Sequence, residues 1–254
     1  MKRTFKRVPA LDKGFGILRL LAKSKTPMGI SEISKRLNYN KSTVSNIAYT
    51  LCDLGILENG LDGKFWFGTE LYLLGRAAGK GSELIQTVRP FLEEIQQETD
   101  LSLFLGIRSG DQAVIIDKVD SSYDLRISSE VGMRLPLLAG AGGKALLAQL
   151  TDEELDVLLS NVPLKKFTPN TRTHKSTFRA AVLKVRESGV AYDFEEYIEG
   201  IVAIAVPLKT YRQALQAAIW AIGLKRQVPE DAYGRYEQLL KEAASHISLR
   251  FSMA

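Results

Sequence analysis

Apolar residues three and four positions apart organise the first fifty residues. Leu11, Phe15, Leu18 and Leu21 predict an amphipathic helix over residues 10–22, closed by the segment Lys23 to Pro27. Ile30, Ile33 and Leu37 predict a short second helix over 31–37. Asn38, Tyr39 and Asn40 then make a turn whose Asn40 can cap a third helix from Lys41 to about Leu54, with Val44, Ile47, Leu51 and Leu54 buried. Leu57-Glu58, a turn with Asn59, Gly60 and Gly63, and the β-prone run Lys64 to Phe67 read as a hairpin. Three helices followed by a hairpin make a winged helix.

Beyond it, residues 70–99 read as helix broken at Gly79-Lys80-Gly81, with Pro90 accommodated in the first turn of the second piece. Strands are expected at 101–108, 113–119, 125–128, 190–194, 201–208 and 214–224. Helices are expected at 140–150, 152–160, 175–188 and from Pro229 to about Leu249. Adjacent hairpins with helices segregated in sequence favour an α+β body with a mainly antiparallel sheet. The resulting division is 1–68 winged helix, 69–99 linker helices and 100–254 body.

The 254 residues carry 45% hydrophobic and 25% charged residues, an ordinary soluble balance. One cysteine, Cys52, excludes an internal disulfide. With two histidines it also excludes a thiolate and imidazole zinc shell, so no metal or cofactor is expected. Cys52 follows the apolar Leu51 and reads as a small packed residue rather than a redox sensor. The longest apolar stretch, Ile201 to Leu208, is far shorter than a membrane span of ~20 residues, and no apolar run follows the basic N-terminus. A cytoplasmic protein with no membrane partner is expected.

Charge changes the picture when divided along the chain. Residues 1–80 hold 14 Lys and Arg against 6 Asp and Glu, a net +8; the remainder is −3, giving the total of +5. A basic head on a near-neutral body suggests a polyanion-binding module. On the third helix, the face opposite Val44, Ile47 and Leu51 presents Ser42, Thr43, Asn46, Tyr49 and Thr50, with Lys41 at its start and no acid before Asp53. Short polar side chains near a helix N-terminus reach base edges in the major groove, and Asn46 suits the N6 and N7 edge of adenine. A polar stripe is ordinarily just a solvated face. Here Lys2, Arg3, Lys6 and Arg7 in the N-terminal arm, Lys35 and Arg36 on the second helix, and Lys64 on the wing could each meet a phosphate, which favours double-stranded DNA. The aromatics Phe65, Trp66 and Phe67 read as the packing side of the wing rather than as stacking platforms.

Seven segments, in order, are similar to the IclR family of bacterial transcription regulators: Leu11 to Leu18, Ile30 to Leu37, Lys41 to Val44, Gly63 to Gly68, Val131 to Pro136, Gly143 to Ala148, and Gly200 to Pro207. Each alone is weakly specific; together they span nearly the whole chain. The resemblance implies an N-terminal winged helix, a linker helix and a GAF-like effector domain that binds a small metabolite, in dimers that pair into tetramers. Many members carry Arg where Asn46 stands, so the operator does not carry over. The resemblance also implies that Asp193 contributes to effector binding, and it places Ala203 and Trp220 where relatives often carry Cys and Ser. A methyl and an indole in place of a thiol and a hydroxyl suit a ligand with an apolar or aromatic body and one anionic end.

The glycine-rich segment Leu138 to Ala145 fails as a phosphate-binding loop, because Leu138 stands where the pattern needs Gly and Ala145 where it needs Ser or Thr. What survives is a helix start at Gly140, Ala141, Gly142 and Gly143 whose amides can receive an anion, or small residues for close packing. Asp193, Glu195 and Glu196 could be catalytic or cation-binding, but acids in a loop are usually solvated, and neither His174 nor His246 lies beside a nucleophile motif. A regulator of operon expression, either repressor or activator and not an enzyme, is therefore expected. The rival is a small-molecule enzyme or carrier built on the C-terminal domain with an incidental basic head.

Overall fold

A computed structural model describes residues 6–24, 26–80, 83–124, 127, 129–210 and 215–253. The chain divides into two compact units at Ser82/Glu83.

In the first unit, α1 (Pro9–Lys23) is followed by β1 (Met28–Gly29), α2 (Ile30–Leu37), α3 (Lys41–Asp53), β2 (Leu57–Asn59), β3 (Lys64–Phe67) and α4 (Thr69–Lys80). Ile17, Leu21, Met28, Ile33, Val44, Ala48, Leu57 and Phe65 form its core. Asn38 adopts the left-handed conformation and ends α2, turning the chain into α3. Three antiparallel strands in the order β1-β3-β2 make the wing.

Three local expectations need correction. Asn40 stands at the N-cap of α3, yet its exposed side chain makes no capping bond, so backbone geometry alone starts the helix. Leu54 is exposed, because α3 stops at Asp53 and the chain turns at Gly55 (φ +68°) before the apolar stripe returns; Ala48 is buried instead. Of the wing aromatics only Phe65 is core. Trp66 lies on the opposite face, where its Nε1 donates to Glu58 Oε2 at 3.0 Å, and Phe67 at the ladder end stays partly exposed.

The second unit opens with α5 (Glu83–Thr99), whose Leu84, Val88, Leu92 and Ile95 pack into the sheet's core. Pro90 is not in the first turn, because the helix begins at Glu83. It interrupts the interior ladder at its eighth residue, and burial of the apolar stripe offsets the lost bond. Strands β4 (Ser102–Ser109), β5 (Gln112–Val119) and β6 (Arg134–Pro136) precede α6 (Gly140–Leu147), α7 (Asp152–Asn161) and α8 (Lys175–Ser188). Strands β7 (Ala191–Phe194), β8 (Ile201–Leu208) and β9 (Ala217–Leu224) lead through two 3-10 turns to α9 (Tyr233–Met253).

The six strands form one antiparallel sheet in the order β6-β5-β4-β9-β8-β7. Because alternate residues face opposite sides, Leu103, Leu105, Ile204, Ile219 and Ala221 meet α5 and α9 on one face. Phe104, Ala203, Ala205, Ala218 and Trp220 meet α6, α7 and α8 on the other. The architecture is α+β, as expected. α6 ends at Leu147 rather than Leu150, and the expected strand over 125–128 falls mostly outside the described residues. No described helix is long and apolar enough to cross a membrane.

Candidate functional site

The first unit holds a polar surface built by α3. Burying Val44 and Ala48 turns Lys41, Ser42, Asn46, Tyr49 and Thr50 outward, with Thr43 half-buried. Tyr49 packs edge-on against Phe65 at 5.6 Å, tying the helix to the wing. The Thr50 hydroxyl donates to the Asn46 carbonyl at 2.7 Å, which occupies its hydrogen within the helix. Lys6 and Lys35 are exposed. Three other cations are held in exposed pairs: Arg7 with Asp12 at 2.5 Å, Arg36 with Glu32 at 2.8 Å and Lys64 with Asp62 at 3.2 Å. Such pairs contribute little stability and open readily toward another anion, though each acid reduces the local positive field. Arg3 lies outside the described residues.

In the second unit, α6 reads Gly-Ala-Gly-Gly-Lys-Ala-Leu-Leu and is buried on nearly every side. Small residues let it lie close on the sheet, and Lys144 goes under with it. Its Nζ meets Glu196 Oε2 at 2.8 Å, and Arg172 Nε reaches the other carboxylate oxygen at 3.2 Å. Burial pushes the Lys144 ammonium below its ordinary pKa, against the opposing pull of Glu196. The loop that carries Glu196 is anchored by Thr171, whose hydroxyl donates to the Glu196 carbonyl at 2.6 Å, and by Thr168, whose hydroxyl donates to that of Glu195 at 2.6 Å.

Asp193 and Glu196 are therefore not solvated loop acids. They are 5% and 6% exposed: Asp193 lies on β7, which packs against α6, and Glu196, on the loop after it, pairs with the buried Lys144. Asp193 Oδ1 accepts from the Glu196 amide at 2.6 Å, yet burial dominates and raises its carboxyl to about 6. Its Oδ2 lies against the start of α6: a Cβ added at Gly140, which sits at φ +73°, would be 3.1 Å away. Ala139 provides no side-chain cap there.

Of the residues singled out in the sequence, Asp193 and Gly140 are adjacent, and Ala203 stands opposite Asp193 in the β7–β8 ladder. Ala141 and Gly143 are buried and Gly142 is half-buried. Trp220 is 3% exposed, with its ring 5.9 Å from Phe104 and 3.1 Å from where a Gly142 Cβ would be. Sequence reasoning missed the joining of Lys144 to Glu196 and the part of Thr168, Thr171 and Arg172. A usable signal existed, since a lysine inside an otherwise apolar helix requires a buried counter-ion.

The profile described as the IclR helix-turn-helix domain matches residues 10–60, and that described as the bacterial transcriptional regulator IclR C-terminal matches residues 77–249. The regulator KdgR of Escherichia coli (strain K12) is 33% identical over 242 residues, 95% of this chain and 92% of that protein. The crystal structure of the Thermotoga maritima IclR has a TM-score of 0.74 at 28% identity and covers 96% of this chain and 99% of that one. An IclR homolog from Microbacterium hydrocarbonoxydans, complexed with 4-hydroxybenzoate, shares the fold with a TM-score of 0.84 at 24% identity, over 96% and 100% of the two chains. These relatives are regulators, so the enzyme or carrier reading is not favoured. The helix-turn-helix match, the IclR C-terminal match and the near full-length likeness lead to one conclusion: the chain belongs to the IclR family of transcriptional regulators, with a DNA-binding head and a C-terminal effector domain.

Proposed function

We propose that this regulator acts as a homodimer, or a pair of dimers, on a twofold-symmetric operator in the cytoplasm, under control of a small organic acid. The observation that carries the reading is the exposed, acid-free polar face of α3, from Lys41 through Ser42 and Asn46 to Tyr49. In this reading Ser42, Thr43, Asn46 and Tyr49 face bases, while Arg3, Lys6, Arg7, Lys35, Arg36, Lys41 and Lys64 face phosphates. One such module covers only a half-site. The apolar faces that α1 and α4 leave in solvent, with Leu11, Phe15, Leu73 and Leu74 at least half exposed, support pairing with a second copy. Residues 69–99 then connect a head of residues 1–68 to an effector body of residues 100–254.

The start of α6 supports the ligand control. Gly140, Ala141, Gly142 and Gly143 supply backbone amides, Asp193 stands against them, and Ala203 and Trp220 lie on the strands beneath. An organic acid agrees with the 4-hydroxybenzoate held by the Microbacterium hydrocarbonoxydans homolog. Selecting a randomised duplex pool on the full chain tests the proposal. The expected product is two half-sites in inverted orientation, with centres ~34–36 Å apart or a multiple of that. A retained pool without any shared motif would overturn it.

A further inference from the structure

Leu61 stands at the apex of the wing, between β2 and β3, and is fully exposed; no other large apolar side chain among the described residues exceeds 64%. A lone exposed leucine is ordinary on a protein surface, but this one is held out on a braced turn. The Gly60 amide donates to the Lys64 carbonyl at 3.0 Å, the Gly63 amide donates to the Gly60 carbonyl at 2.9 Å, and Gly63 takes φ +71°. The Trp66 ring closes on the turn: a Cβ added at Gly60 would lie 2.8 Å from it, and the bond from Nε1 to Glu58 fixes the indole there. The neighbouring acid is folded back. Asp62 Oδ1 accepts from the Lys64 amide at 3.2 Å and lies 2.9 Å from that same Cβ position, while Oδ2 meets Lys64 Nζ at 3.2 Å. The apex therefore leads with an uncharged, methyl-ended side chain.

We propose that Leu61 enters the minor groove beside each half-site and selects A·T pairs there; the proposal rests on the reading of α3 as the element that enters the major groove. Tyr49 of α3 packs on Phe65 of the wing at 5.6 Å. With α3 in the major groove, the hairpin tied to it overhangs the adjoining phosphate strand and the minor groove beyond. Lys64 suits that strand, because its exposed Nζ can turn from Asp62 to a phosphate while the Lys64 amide still holds the carboxylate back. On the minor-groove floor A·T and T·A present acceptors only, and G·C adds the guanine N2 amine, which projects into the groove. A leucine has no acceptor for that amine, so covering it strips a donor of water without replacement. The amine also fills space that the leucine needs. The contact thus separates A·T from G·C and does not separate A·T from T·A. Being uncharged, it adds base preference without adding to the salt dependence.

Anisotropy titrations of the full chain on the selected duplex test this. The selected pool is expected to carry A·T or T·A pairs in the flank of each half-site. Replacing those pairs by G·C is expected to weaken binding by about tenfold, and replacing them by inosine·C to restore most of it, since inosine differs from guanine only in lacking the N2 amine. Leu61→Ala, with an unchanged melting temperature, is expected to bind the G·C and inosine·C duplexes alike, with the parent's salt slope. Asn46→Ala, though weaker throughout, is expected to keep the discrimination. Equal binding of the two duplexes by the parent would overturn the proposal, as would a discrimination that survives in Leu61→Ala. Either failure leaves the reading of α3 standing if the selected half-sites share a motif, whereas a pool without any motif removes both.

Discussion

Lys144 and Glu196, fifty-two residues apart, form an ion pair of 2.8 Å with side chains only 4% and 7% exposed. The pair joins α6 to the loop after β7, and its two ends are not equivalent. Glu196 also has Arg172, at 3.2 Å and open to solvent, while Lys144 has no second direct partner among the described side chains. Removing the acid strands a buried cation. Glu196→Leu is therefore expected to cost about 3–5 kcal/mol in urea unfolding, and Lys144→Met distinctly less, because Arg172 remains. Equal losses would mean that Arg172 contributes nothing.

The Asp193 carboxyl, raised to about 6 by burial, makes stability depend on pH in a defined direction. Its folded value lies above the unfolded 3.8, so the folded state holds the proton more tightly between the two. Its charge penalty is absent below about pH 4, grows as pH rises through 6 and persists above. Asp193→Asn keeps an acceptor for the Glu196 amide and removes the penalty. The variant is expected to match the parent near pH 4 and to exceed it by up to ~3 kcal/mol at pH 8. Unfolding curves that stay parallel across this range would contradict the assignment.

Trp220 and Gly106 are expected to behave as a coupled pair. Gly106→Ala drives a methyl into the indole and should cost several kcal/mol, while Trp220→Ser leaves a cavity and should cost about 3–5 kcal/mol. In the double variant the methyl has room, so its loss is expected to be well below the sum. Additivity in chemical unfolding would show that the ring does not occupy this gap.

The apolar face of α1 gives a prediction about assembly. Leu11 and Phe15 are 64% and 58% exposed, so replacing both by Glu should leave the fold of the first unit intact. Charges there oppose any association through this face. Sedimentation is expected to show a smaller assembly with weaker operator retention, and an unchanged sedimentation profile would place the contact elsewhere.

What the sequence revealed was mostly what is local. The bounds of α3 follow from its apolar spacing and the turn at Asn38, and those of α8 and β8 from composition. Two short strands were not legible because they exist only through pairing: β1 through Met28 opposite Phe65, and β6 through Leu135 opposite Ala113. The winged helix was readable from one stretch of chain. The buried cluster was not, because it joins Lys144, Thr168, Arg172, Asp193 and Glu196 across α6, two loops and an edge strand. Spacing carries no information about which of several acids a buried lysine pairs with.

The outward face of α3 is expected to read duplex DNA, and binding to the selected operator measures this. Binding of the full chain and of Asn46→Ala should be compared on that duplex and on single-base variants at two salt concentrations. Asn46→Ala is expected to lose roughly 1–3 kcal/mol and to become indifferent at one position of each half-site, with its salt dependence unchanged. Lys41→Ala, by contrast, should weaken every duplex alike and flatten the salt slope by about one unit per module. An Asn46→Ala protein that kept the full sequence preference would show that another surface does the reading.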